Sequence, residues 1–230
     1  MLNKTKNAFT LAEVLITLVI IGIVAALTIP SAINHYKERV TIEKIKSSYA
    51  ILSTAYRLAQ MENGSKYSEW NCDSFQDWSN GSKHSNCMTY YIKKHLKRVK
   101  DCNLGSGSDS NPNAVCMGNE GYEFYSISGL SFGEFTSGSG DNFILSNGVP
   151  VSIRRNYHIY IKTDNSKKLV YNKNFFNFWV EDNEKGLLPY SNSGCWSSMD
   201  QEAIRTGLIN GCHISAVKWI FTKDNMDYLH

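Results

Sequence analysis

Cysteine is missing from the first 71 residues of this 230-residue chain. All six lie beyond them, as Cys72, Cys87, Cys102, Cys116, Cys195 and Cys212. No CxxC pair occurs among them, and Cys212-His213 stands without a second close pair, so the usual spacing of a structural zinc site is absent. There is no HExxH and no phosphate-cradling Gly-Lys-Ser/Thr; His35, His84, His95, His158, His213 and His230 are scattered without a shared pattern. No enzyme activity and no cofactor are expected. A large charge of one sign is also lacking: 24 Lys and Arg stand against 21 Asp and Glu, a net +3, so bulk charge gives little ground for a nucleic-acid partner. Charge is scarcest between Phe9 and Ile29, where Glu13 is the single formal charge.

What is there begins with that run. Positions 9–29 are near-continuously apolar, long enough as a helix to cross a hydrocarbon core of about 30 Å. Lys4 and Lys6 precede it, which places the N-terminus in the cytoplasm and the rest of the chain outside. A secretory signal peptide has a shorter apolar region, of about 7–15 residues. A plain anchor has no use for a carboxylate that costs on the order of 2.5–3.5 kcal/mol at mid-membrane depth. Cleavage between Ala8 and Phe9 would answer that cost. Phe9 would gain a cationic α-amino group, with Glu13 one helical turn further on and on the same face. Paired with the amine of a neighbouring chain, Glu13 would set the axial register of parallel helices. Loss of residues 1–8 removes Lys4 and Lys6, leaving 22 basic against 21 acidic groups. Gly22 and Pro30 both raise the cost of helix. The stretch between them would bend or unwind on assembly; the alternative is a helix that ends at the membrane surface.

The stretch AFTLAEVLITLVIIGIVAALTIP resembles the class III N-terminal signal of type IV pilins and type II secretion pseudopilins. Phe9, Thr10, Leu11, Glu13 and Leu15 match its pattern, and Gly22 and Pro30 stand where that family commonly has Gly and Pro. The family usually has Gly before the cut, where this chain has Ala8. The resemblance implies a prepilin peptidase that cuts after Ala8 and methylates Phe9, and a membrane assembly platform. It also implies other pilin-like subunits, including copies of the chain itself, as partners. Residence in the bacterial cytoplasmic membrane would precede transfer into a periplasmic or surface filament.

Beyond Pro30, apolar residues recur at Ile33, Tyr36, Val40, Ile45, Tyr49, Leu52, Tyr56 and Ala59, mostly three or four apart. This predicts an amphipathic helix ending at Asn63-Gly64. Residues 9–62 would form one helix of roughly 80 Å. The remainder reads as strands and turns. FILSNGVPVSI is a hairpin around Asn147-Gly148; HIYIKT, NFFNFWV and GYEFYSI are further strands, and AVKWIF would close the sheet. Sequence neighbours suggest disulfides Cys72–Cys87, Cys102–Cys116 and Cys195–Cys212, each worth about 3 kcal/mol in the chain-entropy model, among the 15 pairings six cysteines allow.

The expected architecture is α+β. A leader (1–8) precedes a membrane or filament-core helix (9–29) and an amphipathic helix (30–62), which packs on an antiparallel, disulfide-bearing head (63–230). The resemblance to pilins implies the same arrangement, with a disulfide near the C-terminus. TDNSKKLVYNKNFFNFWV and NMDYL resemble looser pilin patterns. Certain pseudopilins bind calcium in an acidic loop in this region; here only Asp164 and Asn165 fit, against the six or more oxygens calcium takes, and a solvated turn is the better reading. In YYIKKHLKRVK, a helix would turn Met88, Tyr91, Leu96 and Val99 inward. Lys93, Lys94, Lys97 and Arg98 would then face outward, towards DNA, a neighbouring subunit or solvent. Phe175, Phe176, Phe178 and Trp179 fill core or interface sooner than they bind a sugar. The expected function is that of a structural subunit of a type IV pilus-like or type II secretion pseudopilus filament. The alternative is a single-span, membrane-anchored extracytoplasmic protein whose head binds DNA or a surface ligand without polymerising.

Overall fold

The computed structural model describes residues 10–72, 82–102, 117, 122–135, 140–154, 158–166, 168–189, 199–209 and 212–230. The chain divides into two compact units, Met1–Val40 and Thr41–His230. Helix α1 (Leu11–Asn63) contributes to both. In the first unit it is the only described element besides Thr10, and it continues through Gly22 and Pro30 without a break. Ile33 and Tyr36, expected on the buried stripe, are 46% and 70% exposed.

In the second unit, α1 buries Ile42, Ile45, Ser48, Leu52, Ala55, Tyr56 and Ala59. These steps of three and four define one face, and full burial of each large apolar side chain is worth about 1.5–3 kcal/mol. The helix stops where the sequence predicts: Gly64, at φ +108°, donates its N–H to the Gln60 carbonyl at 2.9 Å.

The covered sheet has six antiparallel strands. They are β1 (Arg98–Asp101), β4 (Gly140–Leu145), β5 (Pro150–Arg154), β6 (His158–Lys162), β8 (Phe175–Val180) and β9 (Leu187–Leu188), hydrogen-bonded in that spatial order. Alternation puts Phe143, Leu145, Val151, Ile159, Ile161, Phe176 and Phe178 into the same core as α1, where Tyr49 of the helix meets Phe178 with ring centroids 5.5 Å apart. The β4–β5 hairpin turns on Asn147-Gly148 as predicted. Its Asn147 amide also donates to the Ser47 and Ser48 hydroxyls of α1, at 2.9 and 3.1 Å.

The opposite face carries a row of directly paired residues, Asn142, Ser152, Tyr160 and Asn177. A second sheet of β3 (Ser131–Phe135), β2 (Tyr122–Tyr125) and β7 (Leu169–Val170) contributes Phe124, Phe132 and Leu169 to a smaller cluster with Tyr160, Tyr171 and Phe175. Its β2–β7 pair is parallel, an exception to the antiparallel expectation. Burial pushes the Tyr171 hydroxyl well above its ordinary pKa, so it stays protonated and donates to Asn177 Oδ1.

Two predicted segments fold differently. AVKWIF is helix α4 (Val217–Lys223), not a closing strand. Ala216, Val217 and Ile220 are buried while Thr222 and Lys223 are exposed, which is a helical spacing rather than an alternation. YYIKKHLKRVK is split: α2 (Ser82–Lys94) ends inside it and Arg98 opens β1. Met88, Ile92 and Leu96 are buried, but Val99, expected inside, is 70% exposed because the strand turns it outward.

The C-terminal third closes on Asn172. This residue sits at φ +63°. Its amide donates to the carbonyls of Ile204 (3.0 Å) and Ile214 (2.7 Å), and its Oδ1 accepts from the Ala216 N–H at 2.8 Å. Its own carbonyl accepts from the buried Tyr228 hydroxyl at 2.9 Å. The side chain thereby ties the turn before β8 to α3 (Gln201–Thr206) and to the segment entering α4, and the main-chain carbonyl ties it to the NMDYL tail. The Cys72–Cys87 disulfide is present. Cys102 is disulfide-bonded too, while Cys116, Cys195 and the Cys212 side chain lie outside the described residues.

Asn172→Ala is expected to cost about 3–5 kcal/mol, because two carbonyls and one N–H lose their buried partner. Asn172→Gly, which relieves only the backbone, should recover little of it in urea unfolding of the full chain in detergent. Gly186 (φ +61°) lies so close to Tyr56 that an added Cβ would stand 2.2 Å from the ring, whereas Gly129 (φ +92°) has open space around it. Gly186→Ala should therefore cost about 2–4 kcal/mol, the clash with Tyr56 included, and Gly129→Ala, which meets only the backbone strain, about 1–2 kcal/mol in the same assay.

Candidate functional site

The first turn of α1 concentrates polar chemistry in an otherwise apolar segment. Thr10 precedes the helix and Glu13 stands three residues on. The Thr10 N–H and hydroxyl both donate to Glu13 Oε2 at 2.8 Å, and the Glu13 N–H donates back to Thr10 Oγ1 at 3.3 Å. This is a reciprocal capping box, in which Thr-x-x-Glu satisfies donors that a helix start otherwise leaves unpaired. In a single chain the carboxylate thus has partners within its own turn, which lowers the cost of carrying it into an apolar medium. Ala8 and Phe9, the predicted cleavage and methylation positions, lie outside the described residues, as do Lys4 and Lys6.

The rest of the segment is apolar on every side. Leu11, Leu15, Ile16, Leu18, Ile21 and Leu27 are all more than half exposed. By length and composition the helix is able to cross a membrane, and none of its most apolar window is buried. An amphipathic surface helix would show a polar face here; a helix apolar all round belongs in lipid or among other helices. A Cβ added at Gly22 would meet nothing within 4 Å, so no contact within the chain requires glycine there. Pro30 has no N–H to offer the Ala26 carbonyl. Thr17 and Thr28 return their hydroxyls to the carbonyls of Val14 and Val24, at 2.9 Å each, which hides both polar groups from an apolar surrounding.

The basic cluster in the second unit is not one outward stripe. Lys93 is largely covered and lies 3.5 Å from Asp101 and 3.4 Å from Asp141. Arg98 pairs with Asp101. Lys94 lies over the rings of Tyr90 and Tyr91, 4.8 and 4.7 Å from their centroids. Lys97 is exposed. In the loop considered for calcium, Asp164 Oδ1 accepts from the Ser166 N–H and hydroxyl, and Asn174 Nδ2 lies 3.2 Å from both carboxylate oxygens. Donors of the loop and of the following turn already hold that carboxylate. Among the described residues, no group of three or more His, Cys, Asp or Glu side chains is placed to hold a metal. Phe175, Phe176 and Phe178 are fully buried core residues.

Sequence reasoning identified Glu13 but not the role of Thr10, although Thr10-Leu11-Ala12-Glu13 spells the capping box in full. It also passed over Gly129-Leu130-Ser131-Phe132-Gly133, which has the GxSxG spacing of a nucleophile elbow. Ser131 there opens β3, which pairs antiparallel with β2. The strand-to-helix turn that exposes such a serine does not follow it.

No curated protein and no solved structure matches the chain. One family model does, over residues 3–29, and it spans the capped, all-apolar start of α1. The chain therefore carries at its N-terminus the prokaryotic N-terminal methylation motif, the class III signal of type IV pilins.

Proposed function

We propose that the chain is a structural subunit of a type IV pilus-like or type II secretion pseudopilus filament, cut after Ala8 by a prepilin peptidase and assembled through its N-terminal helix. One observation carries this reading: within the matched motif, the described part of the helix is apolar all round and exposed, and its single carboxylate is held at the very first turn. Such a helix suits lipid, and it also suits packing among copies of itself. Assembly then exchanges lipid contact for helix–helix contact on an assembly platform in the membrane, with the head outside. The size of the disulfide-bearing head favours a pilus subunit, possessing its own surface, over a minimal pseudopilin. The work is interaction rather than catalysis.

Glu13 has two roles in this account. Before assembly its charge is held by Thr10. In the filament the Phe9 amine of a neighbour replaces those donors, and the exchange fixes the axial register. Glu13→Ala or Glu13→Val should leave membrane insertion intact, since each removes a charge from an apolar span, while abolishing or slowing filament assembly. Fractionation of cell membranes and electron microscopy of the cells report the two effects separately; normal filaments from either variant would remove the register role.

The mass of the mature N-terminal peptide tests processing directly. An N-methylated Phe9 terminus is the expected result. An intact Met1, or a cut between residues 25 and 31, would favour a membrane-anchored binding protein that does not polymerise.

A further inference from the structure

We propose that heads of successive copies join edge to edge, the basic β1 edge of one against the acidic β8–β9 edge of the next, an inference that rests on the filament reading above. The six-stranded sheet has β1 at one end and β9 at the other. Five inter-strand steps separate them, about 24 Å. Around β1, Lys93, Lys94, Lys97, Arg98 and Lys100 stand against Asp101, Asp141 and the Glu62 that faces His95. Lys97 and Lys100 are exposed and, among the described residues, hold no ion pair. Between them Val99 is 70% exposed, an apolar centre in a charged rim, as interfaces commonly have.

The other edge has the opposite sign. The turn from β8 to β9 places Glu181, Asp182 and Glu184 against Lys185 alone. Glu181 is held by the Asn183 amide at 2.7 Å and Asp182 accepts the Ser68 N–H at 3.1 Å, so both are fixed in place. Glu184 is exposed and holds no ion pair among the described residues. A symmetric dimer through either edge would set like charges opposite one another, which is unfavourable. The head-to-tail arrangement sets unlike charges together. Because it joins two different patches, it does not close on itself at two copies but continues as a chain of subunits.

The test is zero-length carbodiimide cross-linking of the full chain in membranes of producing cells, which joins a lysine amine to a carboxylate only where they touch. The expected result is a ladder of dimers, trimers and higher species, with cross-linked peptides connecting Lys97 or Lys100 to Asp182 or Glu184. Lys97→Glu with Lys100→Glu should abolish the ladder, and adding Asp182→Lys with Glu184→Lys to the same chain should restore it. A band at the dimer only, or peptides linking other surfaces, overturns the inference. So do monomers alone in cells that carry wild-type filaments, and that result leaves the filament reading standing. Monomers together with retention of duplex DNA by the full chain, lost on reversal of Lys97 and Lys100, would assign the basic edge to a polyanion and also overturn it. Absence of wild-type filaments and of methylated Phe9 would count against the filament reading; the edge contact is then decided by the ladder.

Discussion

An exposed helix, apolar on every side, is the constraint from which the rest of this protein follows. Exposed to water, the first turns of α1 would forgo most of the free energy that drives apolar groups together. They need lipid or other helices, and the sequence keeps both options open by presenting no polar face. Two threonines fold their hydroxyls back onto the helix, and the one carboxylate is met by Thr10. The capping box is thus more than a helix start signal. It gives a charged group in an apolar segment hydrogen-bond partners within its own turn.

Where the protein leaves that apolar medium, ordinary globular packing takes over. The same helix becomes one-sided: Ile42, Ile45, Leu52, Tyr56 and Ala59 bury on the sheet while Thr54, Arg57 and Met61 stay exposed. The sheet is fastened at both ends of its thickness. On the helix side, Asn147 clamps the β4–β5 turn to Ser47 and Ser48. On the far side, Asn172 gathers the last helices and the tail through four hydrogen bonds. Both are asparagines in turns, where a short amide reaches backbone or hydroxyl groups that strands and helices leave unmatched.

These cases mark how far the sequence was legible. The α1 stripe from Ile45 onward, the Asn147-Gly148 hairpin, strands β6 and β8, and the Cys72–Cys87 pair all rest on short-range rules of period, turn chemistry and spacing, and they are present in the structure, whereas Ile33 and Tyr36 of the same stripe are exposed. Val99 and AVKWIF were misread because their settings are tertiary. A short segment of five apolar and aromatic residues around one lysine fits a strand or a buried helix equally well until its neighbours are known. Asn172 was invisible for the same reason: its partners are 32 to 56 residues away in sequence. Thr10 differs, since its partner Glu13 is three residues away and the motif Thr10-Leu11-Ala12-Glu13 is fully local.

Register along an axis and order around it are separate physical problems. A pair of buried charges between parallel helices fixes how far one slides past the next, but a helix apolar on every side offers no single seam that decides which way it faces. Something outside the apolar bundle must then decide which side of one head faces the next. Charge at the two ends of the sheet has the right properties for this. It acts before contact, it disfavours the wrong pairing as well as favouring the right one, and it leaves the core untouched. It is also sensitive to ionic strength where the helical contact is not. In the filament proposed above, cohesion would reside in α1, whereas the direction in which subunits add would reside in the two edges of the head.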